Sequence, residues 1–206
     1  MSIVKLSNNG VKNATAFGSI SSLGSMVFIK KLTASSSATL SFVDGSDGVV
    51  LDDTYKEYVF TFKNIHPATD NQRFSFQVDT GTNTNYNQTI TSTFFYAYHD
   101  EADSQAGLSY VAGRDQAQGT AFQDISDGVG NDNDQSTSGY LHLFNPSSTT
   151  FVKHFIVLTN INGGDNISTA SYSAGYINTS TAITRVQFKF NSGNIDAGDI
   201  CLYGIA

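Results

Sequence analysis

The chain has 206 residues, a net charge of -7 at pH 7 and a charged fraction of only 14%. Its 11 lysines and arginines are scattered, so it has no cationic stripe of the kind that binds phosphate backbones, and nucleic acid and anionic membranes are disfavoured as partners. No apolar run approaches the roughly 20 residues that cross a bilayer, which argues against membrane insertion.

The chain divides into a polar beginning and a β-rich remainder. Residues 1–24 are rich in Gly, Asn and Ser and are predicted to be an irregular lead-in or attachment segment, ahead of one domain over residues 25–206. Alternation of apolar and polar residues with a period of two is typical of half-buried strands. It predicts strands over the first half of that domain at 25–33, 38–43, 56–63, 73–78, 89–98 and 107–111.

The most polar stretch follows, over residues 113–137, and it is predicted to be the longest loop. Its acidic residues make it a candidate Ca²⁺ site, because Ca²⁺ takes carboxylate and carbonyl oxygens as ligands. The candidate ligands are Asp127, Asp132 and Asp134. An EF-hand alignment fails, since Thr137 and Leu143 stand where that loop needs Gly and Glu. The alternative is an ordinary solvated loop, in which Asp, Asn and Gly are common.

The last third of the chain predicts two hairpins. Strands over 139–144 and 151–158 flank a turn at 145–149, and a weaker strand covers 169–177. Residues 182–190 alternate strictly, and a Gly/Asn turn leads to a final strand over 199–205. We expect the last two strands to pair as an antiparallel hairpin.

About ten strands and no convincing helix define the expected fold. Thr, Tyr and Phe suit a pleated, half-buried surface, whereas helix surfaces use Glu, Lys and Arg, and the chain has only two glutamates. The prediction is therefore an all-β protein, an antiparallel two-sheet β-sandwich of the jelly-roll type.

Four tyrosines are the candidate ligand-binding residues: Tyr96, Tyr98, Tyr110 and Tyr140, which stand on predicted strands among polar neighbours. A tyrosine offers an apolar ring and a hydroxyl, which suits sugars and protein partners. The alternative is that they are half-buried sheet residues, since tyrosine favours strands. No G-x-S-x-G elbow or Cys-His signature is present, so we expect no enzyme activity. The alternative that stays open is a carboxylate pair for glycoside hydrolysis, because three-dimensional spacing decides whether two carboxylates form such a pair.

Several segments resemble virion proteins of tailed phages, particularly phages of marine bacteria. They are Lys56–Asn71, Tyr86–His99, Gly139–Phe155 and the stretch that runs from Gly175–Thr179 to Leu202–Ile205. Proteins of this group are tail-fibre, receptor-binding or capsid-decorating components, and the group offers no catalytic motif. The resemblance covers most of residues 25–206.

The resemblance implies a non-enzymatic structural protein of the virion, made in the bacterial host cytoplasm, that displays a β-sandwich on the particle. A tail-fibre, receptor-binding or tip component is the first expectation, and a capsid decoration protein is the alternative. A glycan-binding module, with Ca²⁺ as a candidate cofactor, is a third. The expected partners are other virion proteins, further copies of the chain in a homotrimer, and a host cell-surface glycan.

Overall fold

The computed structural model describes residues 26–164 and 166–206, and these form thirteen β-strands without a helix. The predicted lead-in over residues 1–24 lies outside this part. Within residues 26–164 and 166–206, no helix is long and apolar enough to cross a membrane. The strands are β1 Met26–Thr33, β2 Leu40–Val43, β3 Glu57–Pro67, β4 Gln72–Thr80, β5 Ile90–Asp100, β6 Ala106–Tyr110, β7 Ala117–Gly119, β8 Gln123–Val129, β9 Thr137–Phe144, β10 Lys153–Gly163, β11 Ile167–Ile177, β12 Ile183–Phe190 and β13 Ile195–Ile205.

The strands form two antiparallel sheets of unequal size. The large sheet has nine strands in the order β1-β13-β3-β9-β10-β11-β5-β6, with β7 paired to the beginning of β5. The small sheet has four strands in the order β2-β12-β4-β8. This arrangement confirms the all-β, two-sheet sandwich, with thirteen strands rather than about ten.

Two local predictions are wrong and one is confirmed. Residues 113–137 are not one loop, because they contain β7 and β8. Alternation of apolar and polar residues did not predict β8, because this strand buries polar Gln123 and Ser126 beside Ile125 and Val129. The predicted C-terminal hairpin does not form, since β12 lies in the small sheet and β13 in the large one. The predicted hairpin of β9 and β10 is confirmed.

The core between the sheets is built around Phe188 of β12. Its ring is fully buried and contacts rings from both sheets, with centroid separations from 5.3 to 6.4 Å. Those partners are Phe42, Phe60, Phe62, Phe74 and Phe76. Edge-on and tilted ring pairs add to the stabilisation that burial of apolar area provides. The alternating apolar residues of β3, β4 and β12 therefore face the core, as the sequence predicts.

Polar groups of β8 join the two sheets. The Thr159 hydroxyl on β10 donates a hydrogen bond to the Ile125 carbonyl at 2.6 Å, and the Asp127 amide donates to the Ser171 hydroxyl on β11 at 3.1 Å. Both bonds cross from one sheet to the other, and Thr159, Ile125 and Ser171 are buried. Buried polar groups must be paired to avoid a desolvation cost, so these bonds fix the position of β8.

Candidate functional site

A polar cleft of about 490 Å³ opens where β8 and the turn between β3 and β4 meet the inner side of the large sheet. We call it the tyrosine cleft. Its lining residues are Asp70, Asn71, Tyr96, Tyr98, Gln105, Ser109, Asp127, Gly128, Ile161, Gly163, Gly164, Ile167 and Thr169. The four strands of the small sheet leave part of the nine-stranded sheet uncovered, and its inward-facing residues line this cleft. A concave site of this size suits a small ligand.

Two tyrosines of β5 form one wall of the tyrosine cleft. Tyr96 and Tyr98 both face inward, and their rings meet at 69° with centroids 5.8 Å apart. The ring of Tyr98 lies against the backbone of Gly107, its partner on β6. A Cβ on Gly107 would stand 2.9 Å from ring atoms of Tyr98, so a side chain there would force the ring to move. Glycine therefore supports a flat aromatic surface.

Arg114 holds the base of the site in place. Its guanidinium carbon lies 5.5 Å from the Phe94 ring centroid and 5.6 Å from that of Tyr96. Its Nη1 atom lies 2.5 Å from Oδ1 of Asp127, and both side chains are mostly buried. A cation near an aromatic face is attracted by the ring quadrupole. Arg114 thus connects the tyrosine wall to the carboxylate on β8.

The turn between β3 and β4 supplies the opposite rim. Asp70 is exposed and accepts a hydrogen bond from the Asn131 amide at 3.2 Å. Asn71 adopts a left-handed backbone with φ of 55°, which asparagine tolerates better than most residues. A Cβ on Gly128 would collide with Oδ1 of Asn71. A side chain at position 128 would therefore displace the Asn71 side chain from its place against β8.

An alternating set of charges continues from the tyrosine cleft to a neighbouring cleft. That neighbour also measures about 490 Å³, and Arg73, Arg114, Asp124 and Lys189 contribute to its lining. Arg73 Nη1 lies 3.1 Å from Oδ2 of Asp124. Burial raises the pKa of Asp124, and the positive charges of Arg73 and Arg114 oppose that rise. Each carboxylate on β8 therefore has an arginine beside it.

Comparison of the chain with protein-family models, curated proteins and solved structures gives no match. The resemblance to phage virion proteins consequently stays a prediction.

The four predicted tyrosines do not form one site. Tyr96 and Tyr98 line the tyrosine cleft. Tyr110 and Tyr140 lie on the outer side of the same sheet, where Tyr110 donates a hydrogen bond to Asp115 and Tyr140 contacts the His142 ring. The reason is strand parity, because Tyr110 is paired with Phe95, which points away from the core. Consecutive strand residues face opposite sides of a sheet.

The three predicted metal ligands also have different surroundings. Asp127 is paired with Arg114 in the tyrosine cleft, whereas Asp134 lines another depression with His66. Asp132 offers its backbone carbonyl to His66 at 3.2 Å. Across residues 26–164 and 166–206, no three His, Cys, Asp or Glu side chains are grouped to hold a metal ion. The described part of the chain therefore does not assemble these aspartates into a Ca²⁺ site.

Most of the other cleft residues carry no signal in the sequence. Asp70 and Asn71 stand in a predicted loop, and Gln105, Ser109, Thr169 and the neighbouring Arg114 belong to no motif. Ser109 and Thr169 reach the cleft only because β6 and β11 pair with β5 in a register that places them beside Tyr96 and Tyr98. That register is a long-range property, and alternation within one strand does not reveal it.

Proposed function

We propose that the protein is a non-enzymatic receptor-binding module that binds a neutral glycan in the tyrosine cleft. The observation that carries the proposal is the pair of tyrosine rings set among carboxylate, amide and hydroxyl groups in one open cleft. A sugar ring has an apolar face of C–H groups and a rim of hydroxyls. An aromatic wall with polar groups at its edge matches both features.

Each part of a bound sugar has a partner in the cleft. The flat ring of Tyr98, supported by Gly107, is the surface for the C–H face. The carboxylates of Asp70 and Asp127 accept hydrogen bonds from sugar hydroxyls, and hydrogen bonds to charged groups are stronger than those between neutral groups. Gly163 and Gly164 line the cleft without side chains, which leaves room for a pyranose ring.

The charges of the cleft favour a neutral sugar over an acidic one. Asp70 and Asp127 are the carboxylates among its described lining residues, and Arg114 offsets only the charge of Asp127. Among residues 26–164 and 166–206, no lysine or arginine pairs with Asp70, so an acidic sugar would meet its negative charge. Like charges at close range repel, particularly where the site is partly buried.

The biological setting proposed for this module is the surface of a phage virion, as a tail-fibre, receptor-binding or tip component. That setting is supported by the resemblance of Lys56–Asn71 and the other segments to virion proteins. A host cell-surface polysaccharide would be the ligand. Capsid decoration is the alternative setting, and the same cleft serves either one.

The test is a glycan array followed by titration calorimetry with the best neutral oligosaccharide, using the wild-type chain and Tyr98→Ala. Loss of a stacked ring is worth about 0.5–1.5 kcal/mol, so we expect the dissociation constant to rise about two- to tenfold. The matched control is Phe151→Ala, an exposed aromatic beyond the opposite end of β10, about 33 Å along the strand from the cleft. It should bind as the wild type does.

Three results would contradict the proposal. An array without hits would show that the protein binds no glycan on it. Equal weakening of glycan binding by Tyr98→Ala and Phe151→Ala would show that the tyrosine cleft is not the binding site. Release of new reducing ends from the bound oligosaccharide would show an enzyme instead of a binding module. A folded Tyr98→Ala, checked by circular dichroism, is required for the comparison.

A further inference from the structure

The outer side of the large sheet carries a broad apolar surface that the tyrosine cleft does not use. It consists of the outward-facing residues of β9, β10, β11, β5 and β6, and we call it the aromatic face. Six large apolar or aromatic side chains on it are well exposed: Phe95, Leu108, Tyr110, Tyr140, Ile156 and Tyr172. The exposed fraction reaches 73% for Leu108 and 51% for Ile156.

The aromatic face is continuous across the strands. Strand pairing places Tyr110, Phe95, Tyr172, Leu158 and Tyr140 in one row. Phe95 and Tyr172 stack within this row, with centroids 5.0 Å apart and planes 5° from parallel. Side chains in direct register contact one another across strands. The row is therefore one surface and not a set of isolated exposed residues.

The aromatic face carries no Asp, Glu, Lys or Arg on its outward positions. This holds for alternate residues along each of the five strands, from Ser138 to Phe144, His154 to Asn162, Ser168 to Tyr176, Thr91 to His99 and Ala106 to Tyr110. Over the whole chain, 14% of the residues are charged. Carboxylates of neighbouring segments reach the border of the face, where Asp115 accepts a hydrogen bond from Tyr110, Glu57 contacts His142 and Asp103 contacts His99. Extended apolar surface marks an interaction site.

We propose that the aromatic face binds the same face of a second copy of this chain and forms a two-fold dimer. The net charge of -7 makes copies repel one another, and an uncharged face is the approach that meets least repulsion. A surface that packs on itself is related to its partner by a two-fold axis. The geometry therefore favours a dimer over the trimer expected from the sequence.

The size of the aromatic face fits a stable dimer. The five strands β9, β10, β11, β5 and β6 have 8, 11, 11, 11 and 5 residues. At about 3.3 Å per residue and about 4.8 Å between strands, they cover roughly 730 Å². Standard stable interfaces bury about 800 Å² on each partner. The stacked Phe95 and Tyr172 near the centre are the residue types that dominate binding energy at such interfaces.

Light scattering and sedimentation of the purified chain test the proposal. The wild type should show twice the 22.1 kDa chain mass at micromolar concentration. Ile156→Arg places a charge in the middle of the contact, and we expect the dissociation constant to rise about a hundredfold or more. The matched control Phe151→Arg changes an exposed aromatic in the loop before β10 and should leave the dimer intact. Added salt should strengthen the dimer, because it screens the repulsion between acidic copies.

Several results would overturn the proposal. A wild-type monomer or trimer would do so directly, as would a dimer that Ile156→Arg leaves unchanged. If Ile156→Arg does not fold, Leu108→Arg introduces the charge at a more exposed position of the same face. These readouts do not depend on the glycan, so failure of the cleft proposal leaves them informative.

Discussion

Replacement of Phe188 by alanine tests how the two sheets are held together. The ring is fully buried and contacts five other phenylalanines. Removal of its burial costs about 1.5–3 kcal/mol. A residual cavity of roughly 100 Å³ adds about 2.4 kcal/mol at the measured cost per unit of cavity volume. We therefore expect the free energy of unfolding to fall by about 4–5 kcal/mol.

Urea unfolding followed by tyrosine fluorescence measures this loss, and thermal unfolding should show a fall of about 8–20 °C for a chain of this size. The matched control is Phe151→Ala, whose ring is 69% exposed and whose replacement should change stability by no more than about 0.5 kcal/mol. If Phe188→Ala costs less than about 1 kcal/mol with an unchanged denaturant slope, the ring does not join the sheets as described.

Two further predictions concern a buried hydrogen bond and a turn. Thr159→Val should lower the free energy of unfolding by about 1–3 kcal/mol, because it leaves the buried Ile125 carbonyl unpaired. The control Thr93→Val removes an exposed hydroxyl and should change stability by less than about 0.5 kcal/mol. Urea unfolding measures both variants. The hydrogen bonds from Ser104, followed by that from the Gln105 amide, hold the pKa of Asp100 below its usual value despite an opposing effect of burial. This contribution is present above the unfolded pKa of about 3.9 and is lost as pH falls through the lower folded value. Asp100→Asn should therefore be less stable than the wild type at pH 7 and converge with it in acid, whereas replacement of the exposed Asp53 by Asn should change stability by less than about 0.5 kcal/mol at pH 7.

Alternation along single strands predicted the layers of this fold well. Tyr58, Phe60 and Phe62 on β3, and Phe74, Phe76 and Val78 on β4, are buried as expected. The partner of each strand was harder to predict. β12 and β13 follow one another with a short turn, yet they lie in different sheets. A strand that buries one face carries the same pattern whether its neighbour in the chain is beside it or across the core.

The candidate site was predicted only in part. Tyr96 and Tyr98 were found because β5 is a clear strand, but Tyr110 and Tyr140 were grouped with them although they face the other way. Asp127 was expected to coordinate a metal and is instead paired with Arg114. That pairing depends on β8, whose buried polar residues concealed it from a pattern based on hydrophobicity.

The position of β13 has a consequence for how the chain reaches its native state. β13 stands between β1 and β3 and pairs with both, so that Met26 meets Ile205 across nearly the whole chain. Contacts between residues so distant in sequence slow folding. During synthesis on the ribosome, we therefore expect the edges of β1 and β3 that pair with β13 to stay unpaired until residues 195–205 have emerged. Such intermediates are prone to aggregate, and a chaperone that shields those edges should raise the yield of the native protein.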